Sequence, residues 1–369
     1  MNIQDERRLK QRQVTEYLDT HKLDAVLLSR RCNFSWFTCG AHNFVNNACD
    51  VGNSWLLVDK SAATVITSNI EFPRLRQEEL ADSGIEVIDF PYSDAAARNA
   101  VFEKLTAGRN VAADAAPPVV KLPPLAGDFD RLRWTLNENE IERYRLLCTD
   151  IVGAVEFIAR DIDPGRTEHE AAGMLDGAIR CCGATPWVLL VAADERVAKF
   201  RHPLPTNQVI EQYYMLVACA ERDGLICACS RLASFGRLPE DLAARHRAVA
   251  TVDAAFIGAT NPGVRFGDIY AEGQEAYATV GFADQWQFHH QGGSCGYLPR
   301  EVVASPGDAS VALANQAFAW NPSIAGTKSE DTILCTAAGP ELLAAPSDWP
   351  ILAAEWKGVQ IPRPDILVR

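Results

Sequence analysis

Three histidines stand in two short stretches: His202 in KFRHPLP, and the adjacent pair His289 and His290 in WQFHHQGG. An imidazole changes charge near neutral pH, so such a side chain can carry protons in catalysis, or simply hydrogen-bond at a strand entry. Arg300 and Glu301 adjoin in LPRE. The guanidinium fork suits a carboxylate, although an ordinary surface ion pair has the same sequence. Glu330 in KSED can hold a cation, and Lys328 two residues earlier can neutralise it. Cys227 and Cys229 flank Ala228, so on a strand both thiols share one face. They could be soft ligands or nucleophiles turned toward a pocket, but small apolar filling is the favoured reading. Ser294 in GGSCG matches G-x-S-x-G, yet a nucleophile elbow needs strand, sharp turn and helix, and these flanks read as strand and loop. No phosphate-binding loop or dinucleotide fingerprint occurs.

The elements that must position these residues show in the periodicities. Up to Asn110–Asp114 the chain alternates helical pattern with short β-rich runs, among them DAVLLS (24–29), SWLLVD (54–59) and ATVIT (63–67), which predicts an α/β layer. APPVVKLPPLAG (116–127) has neither period and reads as a boundary, giving domains 1–127 and 128–369. Beyond it, Asn137 with Glu140 and Thr167 with Glu170 have capping-box spacing, and Ile141, Tyr144, Cys148, Ile151, Val155 and Ile158 keep helical spacing. A second helix, from about Pro239 to Ala259, leads into NPGVRFGDI and a further helix, echoing helix, DPG turn and helix in the first half. Strand-like runs follow each copy. The pattern predicts a duplicated unit forming one curved antiparallel sheet backed by helices.

With 369 residues, 48% of them hydrophobic, the chain can build two real cores. A formal charge of −13 without a Lys/Arg-rich stretch opposes binding to nucleic acid or anionic lipid. The start, MNIQDERRLK, lacks the apolar core of a signal peptide, and no apolar run approaches membrane-spanning length, so the expected location is the cytoplasm. Eleven cysteines at irregular spacing, with no C-x-x-C pair, argue for buried thiols rather than a disulfide framework or zinc ribbon.

Five stretches occur in an order that resembles the creatinase/prolidase/aminopeptidase P superfamily: KFRHPLPTNQVIEQ (199–212), GLICACSR (224–231), WQFHHQGGSCGYLPRE (286–301), AFAWNPSI (317–324) and SEDTILCT (329–336). WTLNENEIERYR (134–145) and the amino-terminal part match more loosely. The resemblance implies an α+β chain with a pita-bread carboxy-terminal domain and a smaller creatinase-type α/β amino-terminal domain. Peptidases of this family hold two metal ions with two Asp, one His and two Glu. Here those positions fall at Ala218 or Cys219, Ala228 or Cys229, Gly293, Asn321 and Glu330, so only Glu330 remains as a ligand and no metal or other cofactor is expected. By analogy with creatinase, which works without metal, the implied function is hydrolysis of a C–N bond in a small carboxylate-bearing molecule. His202, His289 and Glu330 would be catalytic, and Arg300, Glu301 and Asn321 would bind substrate. His289 is expected to face substrate and His290 to point elsewhere. Creatine itself is not expected, because creatinase's partner-chain Phe and Arg align near Asp50 and Gly52. An inactive pita-bread module binding a peptide or protein is the alternative, and a residual Xaa-Pro peptidase a lesser one. The resemblance also implies a homodimer.

Overall fold

In a computed structural model, residues 2–369 are described, and they form two compact units: the residues up to Arg133 with Asn137–Glu140, and Trp134–Leu136 with Ile141–Arg369. The proline-rich stretch 116–127 lies within the first unit.

The first unit opens with a helix, Ile3–His21, capped by Asn2, whose Oδ1 accepts from the Asp5 amide at 2.9 Å. Its sheet comprises β1 (Ala25–Arg30), β2 (Val51–Asp59), β3 (Ala63–Ser68), β4 (Glu86–Phe90) and β5 (Val111–Ala113), ordered β4-β3-β2-β1-β5 with mixed pairing. Leu27, Leu57, Ile66, Phe90 and Phe102 fill one face of it. This is the α/β layer that the alternation predicts.

Both capping boxes form. The Asn137 amide donates to Glu140 at 2.9 Å and the Glu140 amide to Asn137 Oδ1 at 3.1 Å, at the start of the helix Glu138–Asp161. Thr167 and Glu170 do the same for the helix Glu168–Cys181. The second helix pair is Glu240–Ala259 and Phe266–Thr279. The turn inside each pair carries a glycine with positive φ, Gly165 at +94° and Gly263 at +89°, a conformation that the missing Cβ makes accessible. The duplication is therefore present in turn chemistry as well as in helix spacing.

The strands behind these helices are β6 (Thr185–Ala193), β7 (Tyr213–Arg222), β8 (Leu225–Ser234), β9 (Gly292–Cys295), β10 (Val302–Val303), β11 (Gln316–Trp320), β12 (Ser323–Ile324), β13 (Thr327–Lys328), β14 (Asp331–Thr336), β15 (Gly339–Leu342), β16 (Ile351–Trp356), β17 (Val359–Pro364) and β18 (Leu367–Val368). Instead of one continuous sheet, they make a four-stranded sheet, β18-β8-β7-β6, and a five-stranded one, β10-β9-β11-β14-β15, with hairpins β12-β13 and β16-β17. The two larger sheets meet along β8. There the amides of Ile226 and Ser230 donate to the carbonyls of Gly296 (2.9 Å) and Glu330 (3.1 Å), and the Ala228 amide donates to Thr332 Oγ1 (2.9 Å). Such isolated bonds join the sheets without a regular ladder, and the seam becomes the floor of the candidate site.

The helix pair Glu240–Ala259 and Phe266–Thr279 packs on this second half through Phe256, which stacks on Trp320 with ring centroids 4.8 Å apart. The Phe256 ring also occupies the space a side chain at Gly273 would need: an added Cβ would lie 2.0 Å from its Cζ. Gly273→Ala should therefore destabilise the protein by about 1–3 kcal/mol through overpacking, despite alanine's better helix propensity. Equilibrium denaturation showing equal or greater stability would contradict this packing.

Candidate functional site

The site is built around Glu330, which enters β14 buried, with 1% of its surface exposed. Its Oε1 accepts from Arg300 Nη2 at 3.0 Å; its Oε2 accepts from Ser230 Oγ at 2.7 Å and Lys328 Nζ at 2.8 Å. Burial by itself would raise this carboxyl, but the ammonium of Lys328 and the guanidinium of Arg300 hold it down to about 2. Arg300 also donates to the Pro299 carbonyl at 2.6 Å, while its Nε is buried without a hydrogen-bond partner. Two cations on one anion leave the cluster with a formal charge of +1.

Strand parity decides what else faces this cluster. On β8, Ser230 reaches Glu330, and Ala228 has the same parity. On β7, Cys219 pairs with Ala228 and lies in the field of Glu330, Arg300 and Lys328. Burial, reinforced by Glu330, pushes the Cys219 thiol up to about 12, which makes it inert as a nucleophile. Cys227 and Cys229 do not face the pocket, contrary to the reading that turned them toward it. With Arg231 they look toward the helix Glu138–Asp161, where Cys227 meets Cys148 and Arg231 Nε donates to Glu156 at 2.9 Å. Both thiols are raised well above normal, Cys227 first by its bond to Cys148 and Cys229 first by its bond to Cys227.

The histidines converge. His202 lies in the turn after the short helix Glu195–Lys199, and the neighbouring Arg201 donates to Gln285 Oε1 at 2.6 Å, fixing that turn against the 3-10 turn Gln285–Phe288. His289 follows this 3-10 turn. Its carbonyl accepts from Gln291 Nε2 at 2.5 Å, and Gln291 Oε1 accepts from the Tyr277 hydroxyl at 2.9 Å. The Nε2 atoms of His289 and His202 lie 3.0 Å apart, and His289 Nδ1 lies 3.1 Å from Ser323 Oγ. His290 joins them instead of pointing elsewhere: the three residues offer ring nitrogens within 4.8 Å of one another. Its Nδ1 accepts from the Gly292 amide at 3.3 Å. All three rings are held below the usual imidazole range, first by burial and then by the nearby cations. His289 falls to about 2 and His290 to about 4, while exposed His202 is also lowered. At neutral pH the cluster is three uncharged imidazoles.

Other predicted residues are placed as follows. Asn321 is buried after β11; its amide donates to the Gln291 carbonyl at 3.1 Å and its Oδ1 has no hydrogen-bond partner. The Glu301 amide donates to the Ser294 carbonyl at 2.8 Å, and its carboxylate lies beside Gly296 and Cys295. Ser294 is wholly buried inside β9, which is paired on both sides, so no elbow exposes it.

The dinuclear metal set implied by the resemblance does not fit these residues. Cys219, with Ala228 and Ser230, faces the position where two aspartates would be needed. Gly293, at the histidine position, has φ +148°, and a Cβ there would lie 2.1 Å from the Val302 carbonyl oxygen. Asn321 provides no carboxylate, and both oxygens of Glu330 are already committed. Lys328 Nζ sits where an ion bound to Glu330 would have to approach.

Because the folded value of Glu330 lies near 2 and the unfolded one near 4.3, its ionisation contributes roughly 3 kcal/mol of stability above about pH 4.3, lost as the pH falls toward 2. Glu330→Gln should cost about 3–5 kcal/mol at pH 7 by leaving two buried cations uncompensated. In urea unfolding, the gap between wild type and variant should narrow as the pH drops from about 4.3 toward 2; a pH-independent gap would contradict the assignment.

Comparison with known proteins agrees with this architecture. The model of metallopeptidase family M24 matches residues 144–337, over half of the chain. An uncharacterized peptidase of Staphylococcus haemolyticus is 23% identical over 230 residues, spanning 59% of this chain and 65% of that protein. Among solved structures, a prolidase from Pyrococcus horikoshii is similar with TM-score 0.77 at 19% identity, covering 95% of this chain and 99% of its own. An Xaa-Pro dipeptidase from Bacillus anthracis gives 0.78 at 17%, covering 98% and 100%. At these identities the structures speak for the fold, and it is the pita-bread fold with its smaller amino-terminal domain. By the match of its sequence to the family model, the chain belongs to metallopeptidase family M24.

Proposed function

We propose that this family member hydrolyses a C–N bond of a small, carboxylate-bearing molecule without a metal ion, as the analogy with creatinase implies. The observation that carries the reading is the pairing of exposed His202 with buried, uncharged His289, beside a cluster of net positive charge. His202 is exposed, and with its Nε2–H donated to His289 Nε2 its other ring nitrogen, Nδ1, carries the lone pair that can take a proton from water as the water adds to the substrate carbon. The same proton then goes to the departing nitrogen, which leaves as an amine. His289 is oriented by Ser323 and the Gln291–Tyr277 chain, and holds the ring of His202 at a fixed distance. Lys328 and Arg300 exceed Glu330 by one charge and favour a substrate carboxylate, with Arg300 Nε as the unused donor. Glu330 serves by holding these two cations in place. Amide, amidine and guanidine bonds all fall within this class; because structures of similar fold are named prolidase and Xaa-Pro dipeptidase, proline dipeptides are among the molecules to try first.

Chelator-treated protein should turn over a carboxylate-bearing amide, amidine or guanidine from a focused panel, and His202→Gln should lower kcat by about two to four orders of magnitude with the fold intact. Activity that disappears with EDTA and returns with manganese or cobalt would restore the metallopeptidase reading. Saturable binding without product would instead make the chain a binding module.

A further inference from the structure

We propose that His202, His289 and His290 form a site for one borderline divalent transition metal, of the Zn2+ class, distinct from the family's carboxylate set, and that an ion bound there blocks proton transfer by His202. The inhibitory half rests on the role proposed for His202; the binding half does not.

Three ring nitrogens, one from each residue, lie within 4.8 Å of one another, and those of His202 and His289 are only 3.0 Å apart. Two nitrogens on a tetrahedral zinc, each bonded at about 2.0–2.1 Å, stand about 3.3 Å apart, so this edge needs to open only slightly while His290 moves in. The His202–His289 contact is now bridged by a single proton; on metal binding that proton passes to His202 Nδ1, so that both Nε2 lone pairs face the ion and His202 can no longer take a proton there. The supporting contact is already present: Ser323 Oγ lies 3.1 Å from His289 Nδ1, so an Nδ1–H can donate to it and leave Nε2 as a lone pair, the usual arrangement around a metal-bound imidazole. Depressed proton affinities mean that no imidazolium must be discharged first. One contact is lost, the 3.3 Å bond from the Gly292 amide to His290 Nδ1, among the longest in the cluster. Exposure of His202 gives the ion a route in and leaves a fourth position for water.

The charged groups near the rings oppose and select. Lys328 and Arg300 repel a cation, and Glu330, which would attract one, is committed to both of them. Hard ions that depend on carboxylate oxygens gain nothing here, whereas imidazole donors suit zinc, cobalt, nickel and copper.

The test uses the full chain after chelator treatment and dialysis. Addition of CoCl2 should give the intense visible absorption of a four-coordinate nitrogen site, saturating at one ion per chain, bleached by ZnCl2 and unaffected by MgCl2 or CaCl2. His202→Ala and His290→Ala, each checked for native circular dichroism, should weaken cobalt binding by at least the roughly 10- to 100-fold that losing a supporting group costs. No such band, or cobalt binding unchanged in both variants, would overturn the site. With a substrate in hand, ZnCl2 should inhibit turnover over the concentration range in which it bleaches cobalt; full activity with zinc bound would overturn the inhibitory role. Absence of any turnover would count against the proposed hydrolase and leave the cobalt result readable.

Discussion

Two adjacent carboxylates at the start of β14, each matched by two cations, govern this fold and its site. Glu330 faces the histidines and is held by Lys328 and Arg300; Asp331, with opposite strand parity, faces the other side and accepts from Arg231 at 2.9 Å and Arg363 at 2.8 Å. Arg363 in turn pairs with buried Asp253 at 2.7 Å, and Arg231 with Glu156. Buried charges of this kind are tolerated only as complete sets, because each ion has lost its hydration and the partner's removal leaves that cost unmet. The seam between the two sheets therefore cannot shift without exposing or orphaning charge on one face or the other.

The same constraint bears on the proposed chemistry. A dinuclear centre requires several carboxylates whose mutual repulsion the metal ions relieve. Of the carboxylates that the resemblance implies, this chain offers Glu330, and its compensating charge is supplied from within by Lys328 and Arg300. Restoring a single ligand would not restore the centre. At Gly293 a side chain would run into the β10 backbone, and on β8 the site-facing residues are Ala228, which has no ligand atom, and Ser230, which is hydrogen-bonded to Glu330. The function proposed here uses His202 as proton carrier, a buried partner that orients it, and an excess of positive charge. That inventory suits hydrolysis of an anionic substrate by acid–base catalysis.

Much of this was legible in the sequence, for physical reasons that differ from residue to residue. The helix pairs were legible because caps and 3.6-residue spacing act locally, and the duplication because both turns need a glycine. His202, His289, Arg300 and Glu330 were legible only through motif order, since no local pattern links residues 128 positions apart. His290 was missed on the assumption that adjacent side chains diverge, as they do on a strand. The pair instead follows a 3-10 turn, and both rings reach His202. Parity showed that Cys227 and Cys229 share a face, but parity alone does not say which face. Arg231 has the same parity and needs a buried partner, and Glu156 lies eight residues from Cys148 on one helix; together they mark that face as helix-covered. The division into two sheets leaves no trace in hydropathy, because it depends on the few bonds along β8.

The central claim is that Lys328 and Arg300 occupy, in charge and in space, the role that metal ions would play at Glu330. It is tested most directly by a crystal structure determined in the presence of millimolar Mn2+ and read by anomalous scattering. The account predicts Lys328 Nζ and Arg300 Nη2 still on the Glu330 carboxylate and no manganese peak beside it. A manganese pair bridged by Glu330, with Lys328 swung away, would contradict it.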